Sequence, residues 1–375
     1  MKKIIIALIK FLCGVLTHSL LVIPHKKTNF VFTSKYGFSD NSKYLFLYYL
    51  KQGINCTWVA SDDACYLEVE KKLEKHPNAK VIRRNSIKLL VTLARAKYVF
   101  VTHSFQDLGG VAIKTCPIIN LWHGIPIKKM GFDSQNDIKL FSLDTFNPYK
   151  LNDFVISSSE VTKSFSISCM NITPSKVLPL GQPRNDFLYG NRKNKSLIKE
   201  LKSNYSELDE GKLFLYAPTF RDEDNISLSI YMDLINSFTK SAQKNDTLVL
   251  RLHPKERELL VSIKLPDNIK HSKITDVQEE LLAADILISD YSSIIFDFSI
   301  LKKPIILFTP DRDGYFENRG GSYFEYDKIL RECNAVKDHE IDSIWTEAAL
   351  KEISYTQLTP LHAMFACKSI YEQFN

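Results

Sequence analysis

The feature that most constrains this chain is a short apolar run, repeated along its length, that stops each time in a polar turn suited to opening a helix. Runs at 29–33 (NFVFT), 56–60 (CTWVA), 98–102, 117–121 (PIINL) and 153–157 (DFVIS) read as strands. Helical patterns at 40–50, 67–76, 87–96 and from Ser159 onward fall between them. A polar, charged stretch at 191–211 interrupts the pattern, which then restarts. The later runs are 212–217 into Pro218-Thr219, 247–252 into His253-Pro254, 285–289 into Asp290-Tyr291-Ser292-Ser293, and 304–308 into Thr309-Pro310. Strands alternating with helices demand βαβ units and parallel sheets, whose ligands gather at the carboxyl ends of the strands.

The 375 residues exceed what one hydrophobic core usually organises. The expected fold is therefore α/β and glycosyltransferase-B-like, with two Rossmann-like domains facing a central cleft. The domain expectations are a membrane-associating segment at 1–24, an N-terminal Rossmann-like domain at 25–190, a linker at 191–211 and a C-terminal Rossmann-like domain at 212–375. Whether the last helices cross back is left open.

The net charge of +6 suits nucleotides, phosphates or an anionic membrane surface. No zinc-finger, RNP or basic-helix pattern points to nucleic acid. Seven scattered cysteines without a CxxC pair imply reduced thiols, not a disulfide framework or zinc site. Residues 4–24 are apolar with few breaks. Lys3, Lys10 and Thr17 recur at intervals of seven and share one stripe, which suits a helix lying in the membrane interface. A membrane span and a buried first helix are the competing readings. No clear small-residue cleavage site for a signal peptide precedes Pro24.

Several turns carry groups that could do chemistry. In 289–297 (SDYSSIIFD), Ser292 and Ser293 precede an apolar helix start, where free backbone N–H groups suit a pyrophosphate. Asp297 follows one turn later, within reach of ribose hydroxyls; simple capping is the alternative. His123 ends a strand and leads into Gly124-Ile125-Pro126, a context that fixes the backbone around a side chain able to take a hydroxyl proton near neutrality. Strand alternation puts Arg251 and His253 on one side, where both could meet phosphate oxygens. Pro218, Thr219 and Arg221 follow another strand, and Arg184 stands in Gly181–Asp186 near the expected linker. Asp311-Arg312-Asp313 has the Asp-x-Asp form of metal-dependent sugar transferases, but the motif is common by chance and no metal ligand is assigned. Lys302-Lys303 reads as a solvated face.

Together, NLWHGIPIKKMGFD (120–133), LGQPRNDFL (180–188), YAPTFRD (216–222), RLHP (251–254), ISDYSSIIFDFSILKKPIILF (288–308) and NRGGSYFEYD (318–327) resemble the CDP-glycerol glycerophosphotransferase family, which builds teichoic acids and related capsule polymers. The resemblance implies a CDP-glycerol or related CDP-polyol donor, no obligatory cofactor, and an acceptor that is a polyprenyl-diphosphate-linked saccharide or polymer. It implies a peripheral enzyme at the cytoplasmic face of the inner membrane surface. His123 would be the general base, and His253 would stabilise the pyrophosphate and the leaving CMP. Gly124, Ile125, Pro126, Arg184, Pro218, Thr219, Arg221, Arg251, Ser292, Ser293 and Asp297 would contact the donor. The chain is closer in length to primases and short transferases than to long polymerases. Two other readings stay open: a nucleotide-sugar glycosyltransferase, and an inactive scaffold, whose expected mark would be loss of His123, His253 or the serine pair.

Overall fold

The computed structural model describes residues 28–109, 116–135, 137–138, 147–206, 211–221, 228–253, 263–311, 320–325 and 364–375, with isolated pieces at 256, 258, 260, 315–316, 334–336, 342 and 345. The apolar stretch 4–24 lies outside the described residues, as do Pro254, Arg312 and Asp313. Among the described residues, no helix is long and apolar enough to cross a membrane.

The chain divides into two compact units. One comprises Met1–His123, Gly131–Phe187 and Pro360–Asn375; the other comprises Gly124–Met130 and Leu188–Thr359. The first holds seven parallel strands: β1 (Asn29–Thr33), β2 (Cys56–Ala60), β3 (Ala79–Arg83), β4 (Ala96–Val101), β5 (Ile118–Asn120), β6 (Phe154–Ile156) and β7 (Val177–Leu178). Their order is β3-β2-β1-β4-β5-β6-β7. The winding reverses between β1 and β4, the switch point where open α/β sheets place their ligands.

A parallel sheet covered on both faces needs apolar residues at successive positions, and β2 is buried throughout. On β1, Phe30 and Phe32 enter one core while Val31 enters the other, as strand alternation requires. The first core is filled by α1 (Asp40–Lys51), α2 (Asp63–Leu73) and a C-terminal helix, Ala366–Phe374. Phe32 and Phe100 stack there at 4.8 Å. The second core takes α3 (Ile87–Ala94). Two further helices of this half are α4 (Glu160–Met170) and α5 (Pro183–Asn191). The C-terminal helix returns to this unit because half-buried Asp186 accepts hydrogen bonds from the N–H groups of Ala366 (2.9 Å) and Cys367 (2.8 Å). A carboxylate there complements the partial positive charge of a helix start.

The second unit repeats the plan. Its strands are β8 (Leu213–Tyr216), β9 (Thr247–Leu250), β10 (Ile269–His271), β11 (Ile286–Ser289), β12 (Ile305–Phe308) and β13 (Asn334–Val336). All pair in parallel, in the order β10-β9-β8-β11-β12-β13, so the switch point falls between β8 and β11. Its helices are α6 (Lys195–Lys202), α7 (Leu228–Ser241), α8 (Val277–Ala283) and α9 (Ile294–Ser299); the C-terminal helix is α10. The stretch read as a linker contains α6, which joins this unit through Leu201 burial and a Lys202–Asp285 ion pair at 2.7 Å. Lys303 is not a solvated residue: its Nζ donates to the carbonyls of Leu282 (3.0 Å) and Ala284 (2.6 Å) at the end of α8. The architecture is a glycosyltransferase-B-like pair of Rossmann-like units.

Candidate functional site

In the second unit, the strand ends carry a charge network. Asp290, directly after β11 and fully buried, accepts from the Thr219 backbone N–H (2.8 Å) and hydroxyl (2.7 Å) and pairs with Arg221. The Arg221 guanidinium extends to Asp311, with Nε at 3.1 Å and Nη2 at 3.0 Å. Burial works against the Arg221 charge, but Asp290 and Asp311 outweigh it and raise its pKa above the ordinary value. Buried Glu256 accepts from the backbone N–H groups of Arg221 (3.3 Å) and His253 (3.2 Å), tying the turn after β8 to the turn after β9. His253 is exposed, its ring 4.1 Å from that of Phe220.

Arg251 is bonded within the unit in the same way. It reaches Glu280 (2.6 Å), the Ser272 hydroxyl (3.1 Å) and the carbonyls of Ile274 and Thr275 (both 2.9 Å), and so shapes the loop between β10 and α8. Glu280, also buried, accepts in addition from Ser272 and Tyr205. Ser292 and Ser293 stand half-buried at the start of α9. The Ile294 N–H donates to Ser292 Oγ at 3.4 Å, and Ser293 occupies the capping position without a side-chain cap bond. Asp297 is buried and accepts from Gln278 Nε2 at 3.2 Å, so its carboxylate faces the protein interior.

The first unit places His123 two residues beyond β5's neighbour Leu121, between two residues of positive φ: Trp122 at 59° and Gly124 at 139°. A left-handed tryptophan costs about 1–3 kcal/mol and persists only where its surroundings over-determine it. Here they do. The Trp122 N–H donates to Asn120 Oδ1 (2.9 Å), and its carbonyl accepts from Asn41 Nδ2 (2.8 Å). Asn41 Nδ2 also donates to the Leu121 carbonyl (3.2 Å), and its Oδ1 accepts from the Arg184 backbone N–H (3.1 Å). Arg184 itself pairs with Asp40 at 3.0 Å.

His123 Nδ1 is buried and makes no hydrogen bond. Burial holds the His123 pKa well below the usual histidine range, with His103, Arg184 and Lys35 acting in the same direction. The imidazole is therefore neutral near pH 7 and able to accept a proton.

The structure thus gathers Pro218, Thr219, Arg221, Arg251, His253, Ser292 and Ser293 at the carboxyl ends of neighbouring strands β9, β8 and β11. His123 and Arg184 belong to the first unit, Gly124, Ile125 and Pro126 to the second. The segment that continues from Pro126 is held by Gly321–Tyr323: Tyr323 N–H donates to the Ile127 carbonyl (2.8 Å) and Lys129 N–H to the Gly321 carbonyl (2.9 Å). Sequence reasoning missed His103, Asn41, Glu256 and Glu280. His103 had a signal, since it follows an apolar strand in a polar turn like the residues that were chosen. The other three act across long sequence separations and had none.

The sequence matches the family described as CDP-Glycerol:Poly(glycerophosphate) glycerophosphotransferase over residues 15–341. It is 28% identical to the teichoic acid glycerol-phosphate transferase of Staphylococcus aureus over 82% of this chain and 80% of that protein. It is 30% identical to the teichoic acid poly(glycerol phosphate) polymerase of Bacillus spizizenii, over 69% of this chain and 68% of that one. Among solved structures, the wall teichoic acid polymerase TagF superposes with a TM-score of 0.70 at 22% identity, covering 93% of this chain and 91% of that one. At that identity the structural likeness speaks for the fold. A family match running from before β1 to beyond β13, over a chain that carries both histidines and the serine pair, leads to one conclusion: the protein belongs to the CDP-glycerol:poly(glycerophosphate) glycerophosphotransferase family.

Proposed function

We propose that the protein transfers glycerol phosphate, or a related polyol phosphate, from CDP-glycerol to a polyprenyl-diphosphate-linked saccharide or polymer, releasing CMP. The setting is teichoic-acid or capsule-type polymer synthesis at the cytoplasmic face of the membrane, where the chain acts as a peripheral enzyme. An acceptor hydroxyl attacks the β-phosphorus of the donor. The new O–P bond forms as the bond to CMP breaks, and His123 takes the hydroxyl proton. The second unit holds the donor: the Ser292 and Ser293 hydroxyls and the first turn of α9 meet the pyrophosphate, with Pro218 and Thr219 beside them. His253 faces the charge that develops on the leaving CMP. Arg221 and Arg251 serve by fixing the turns that present these groups, and Arg184 by fixing the His123 loop. Phosphoryl transfer depends mainly on such positioning and charge placement.

The observation that carries the reading is the neutral His123 imidazole, its buried Nδ1 without a hydrogen bond, in a rigid loop. The deciding experiment measures CMP release from purified protein with CDP-glycerol, CDP-ribitol and UDP-sugars, using a lipid-linked saccharide as acceptor. Acceptor-dependent release from a CDP-polyol is expected. Turnover of a UDP-sugar alone would replace this reading with a glycosyltransferase.

A further inference from the structure

A second histidine is built against the first. The His103 and His123 rings lie 4.1 Å apart with planes 19° from parallel. His103 follows β4 as His123 follows β5, so adjacent strands deliver both rings to the same edge. The His103 backbone is anchored twice. Its N–H donates to Asp107 Oδ2 (2.8 Å), which also takes the Thr102 N–H (3.0 Å). Its carbonyl accepts from Asn120 Nδ2 (2.9 Å), and the other end of that same amide holds Trp122 N–H. One side chain, Asn120, therefore sets the separation of the two histidine loops. Asp107 is buried and 3.8 Å from His103 Nδ1, while Tyr36 meets the His103 ring edge-on at 5.2 Å. The Nδ1 atoms of both histidines are buried and make no hydrogen bond. The His123 ring lies between two neighbours, the near-parallel His103 ring and the tilted Trp122 ring at 4.3 Å, and the nearly parallel stack on His103 bears most directly on its plane.

We infer that His103 is a positioning residue for His123, its clamped ring fixing the plane of the imidazole that takes the acceptor proton. The inference rests on His123 being the base. Charge acts alongside orientation. The groups that face His123 are His103 from the β4 turn, Lys35 from the β1 turn and Arg184 from the start of α5, all basic. The carboxylates on the same elements are engaged elsewhere, Asp40 with Arg184 and Asp107 with the backbone of its own turn. Stacking holds the ring in place while basic neighbours disfavour its protonation.

The test compares His103→Ala, which removes the ring, with His103→Phe, which keeps a flat ring at the same place. In the full chain, His103→Ala lowers kcat for CMP release by about tenfold, the scale of a slightly misplaced reacting group, with donor KM little changed. His103→Phe restores most of that loss. Unchanged kcat in the alanine variant overturns the inference, as does a phenylalanine variant no better than alanine. The ring titration of His123, followed by NMR in the wild type and in His103→Phe, gives a readout that does not depend on turnover. Its midpoint moves toward the ordinary histidine value in the variant; an unmoved midpoint overturns the contact's influence on the ring. If His123→Ala retains turnover while that midpoint still moves, the base assignment fails and the ring-to-ring coupling stands.

Discussion

The two units share a strand order and differ in how far the polar groups at their strand ends are bonded within the protein. In the second, polar groups at the strand ends are bonded into buried carboxylates: Asp290 and Asp311 hold Arg221, Glu280 holds Arg251, and Glu256 holds two backbone N–H groups. In the first, buried polar atoms of Ser34, His103 and His123, each just past a strand end, make no hydrogen bond among the described residues, whereas in the second Gln278 Oε1 is such an atom beside the bonded carboxylates. A buried polar group without a partner costs about 1–3 kcal/mol, so such a cluster marks a place where function outweighs stability. The comparison teaches a division of labour. The second unit is a charge-compensated frame that leaves two hydroxyls and an exposed histidine at its surface. The first keeps one imidazole neutral, its Nδ1 without a hydrogen bond.

The largest expected effect tests the frame. Arg221→Ala strands two carboxylates and should lower stability by about 3–5 kcal/mol, the usual cost of breaking a buried pair; urea melts measure it. A loss under 1 kcal/mol by those melts would remove the contrast between the units. His123→Ala should cut turnover by about a hundredfold or more. Near-normal turnover would strip the first unit of its assigned role. Next comes Ser292→Ala combined with Ser293→Ala, expected to weaken CDP-glycerol binding about tenfold by calorimetry, each lost hydrogen bond being worth about 0.5–1.5 kcal/mol.

Two pH effects sharpen the comparison further. Because the His123 pKa is depressed, turnover should hold steady as pH falls through 6.5 and decline only well below that value. The same depression makes stability fall as pH drops below 6.5, since there the unfolded chain binds a proton that the native state refuses. An acid limb centred at or above 6.5 would contradict the burial of that ring. At the other end of the pH range stands Lys303, which burial pushes down to about 8 from 10.5. Between those values the unfolded chain carries the proton and the native state does not, so stability should rise with pH across that window. Lys303→Met should flatten the rise; an unchanged slope would assign it to another group.

Much of the fold was legible. The strands after which His123, Thr219, His253 and Ser292 follow are short apolar runs, and apolar runs that end in polar turns survive as strands wherever both faces are covered. β3 escaped notice because AKVIR is a half-exposed edge strand with two basic residues, and β13 because three residues carry no period. Helix α2 begins earlier than its apolar pattern because Asp62 accepts from Cys65 N–H at 2.8 Å and caps it. At the sites, residue types were readable and their occupations were not. Arg221, Arg251 and Asp297 look alike in sequence to free ligand-binding groups, yet each is bonded within the protein.

The sequence by itself determined the alternation of strand and helix, the placing of polar turns at strand ends and the choice of histidine and serine there. These depend on local propensity and on which residues tolerate burial on two faces, properties carried by a few neighbouring residues. Only the tertiary structure decided which charges are compensated and which ring stays neutral. Arg221 meets Asp290 across 69 residues, and the Arg184 N–H meets Asn41 across 143. Burial and through-space charge fix a side chain's protonation and freedom, and neither can be summed from neighbours along the chain.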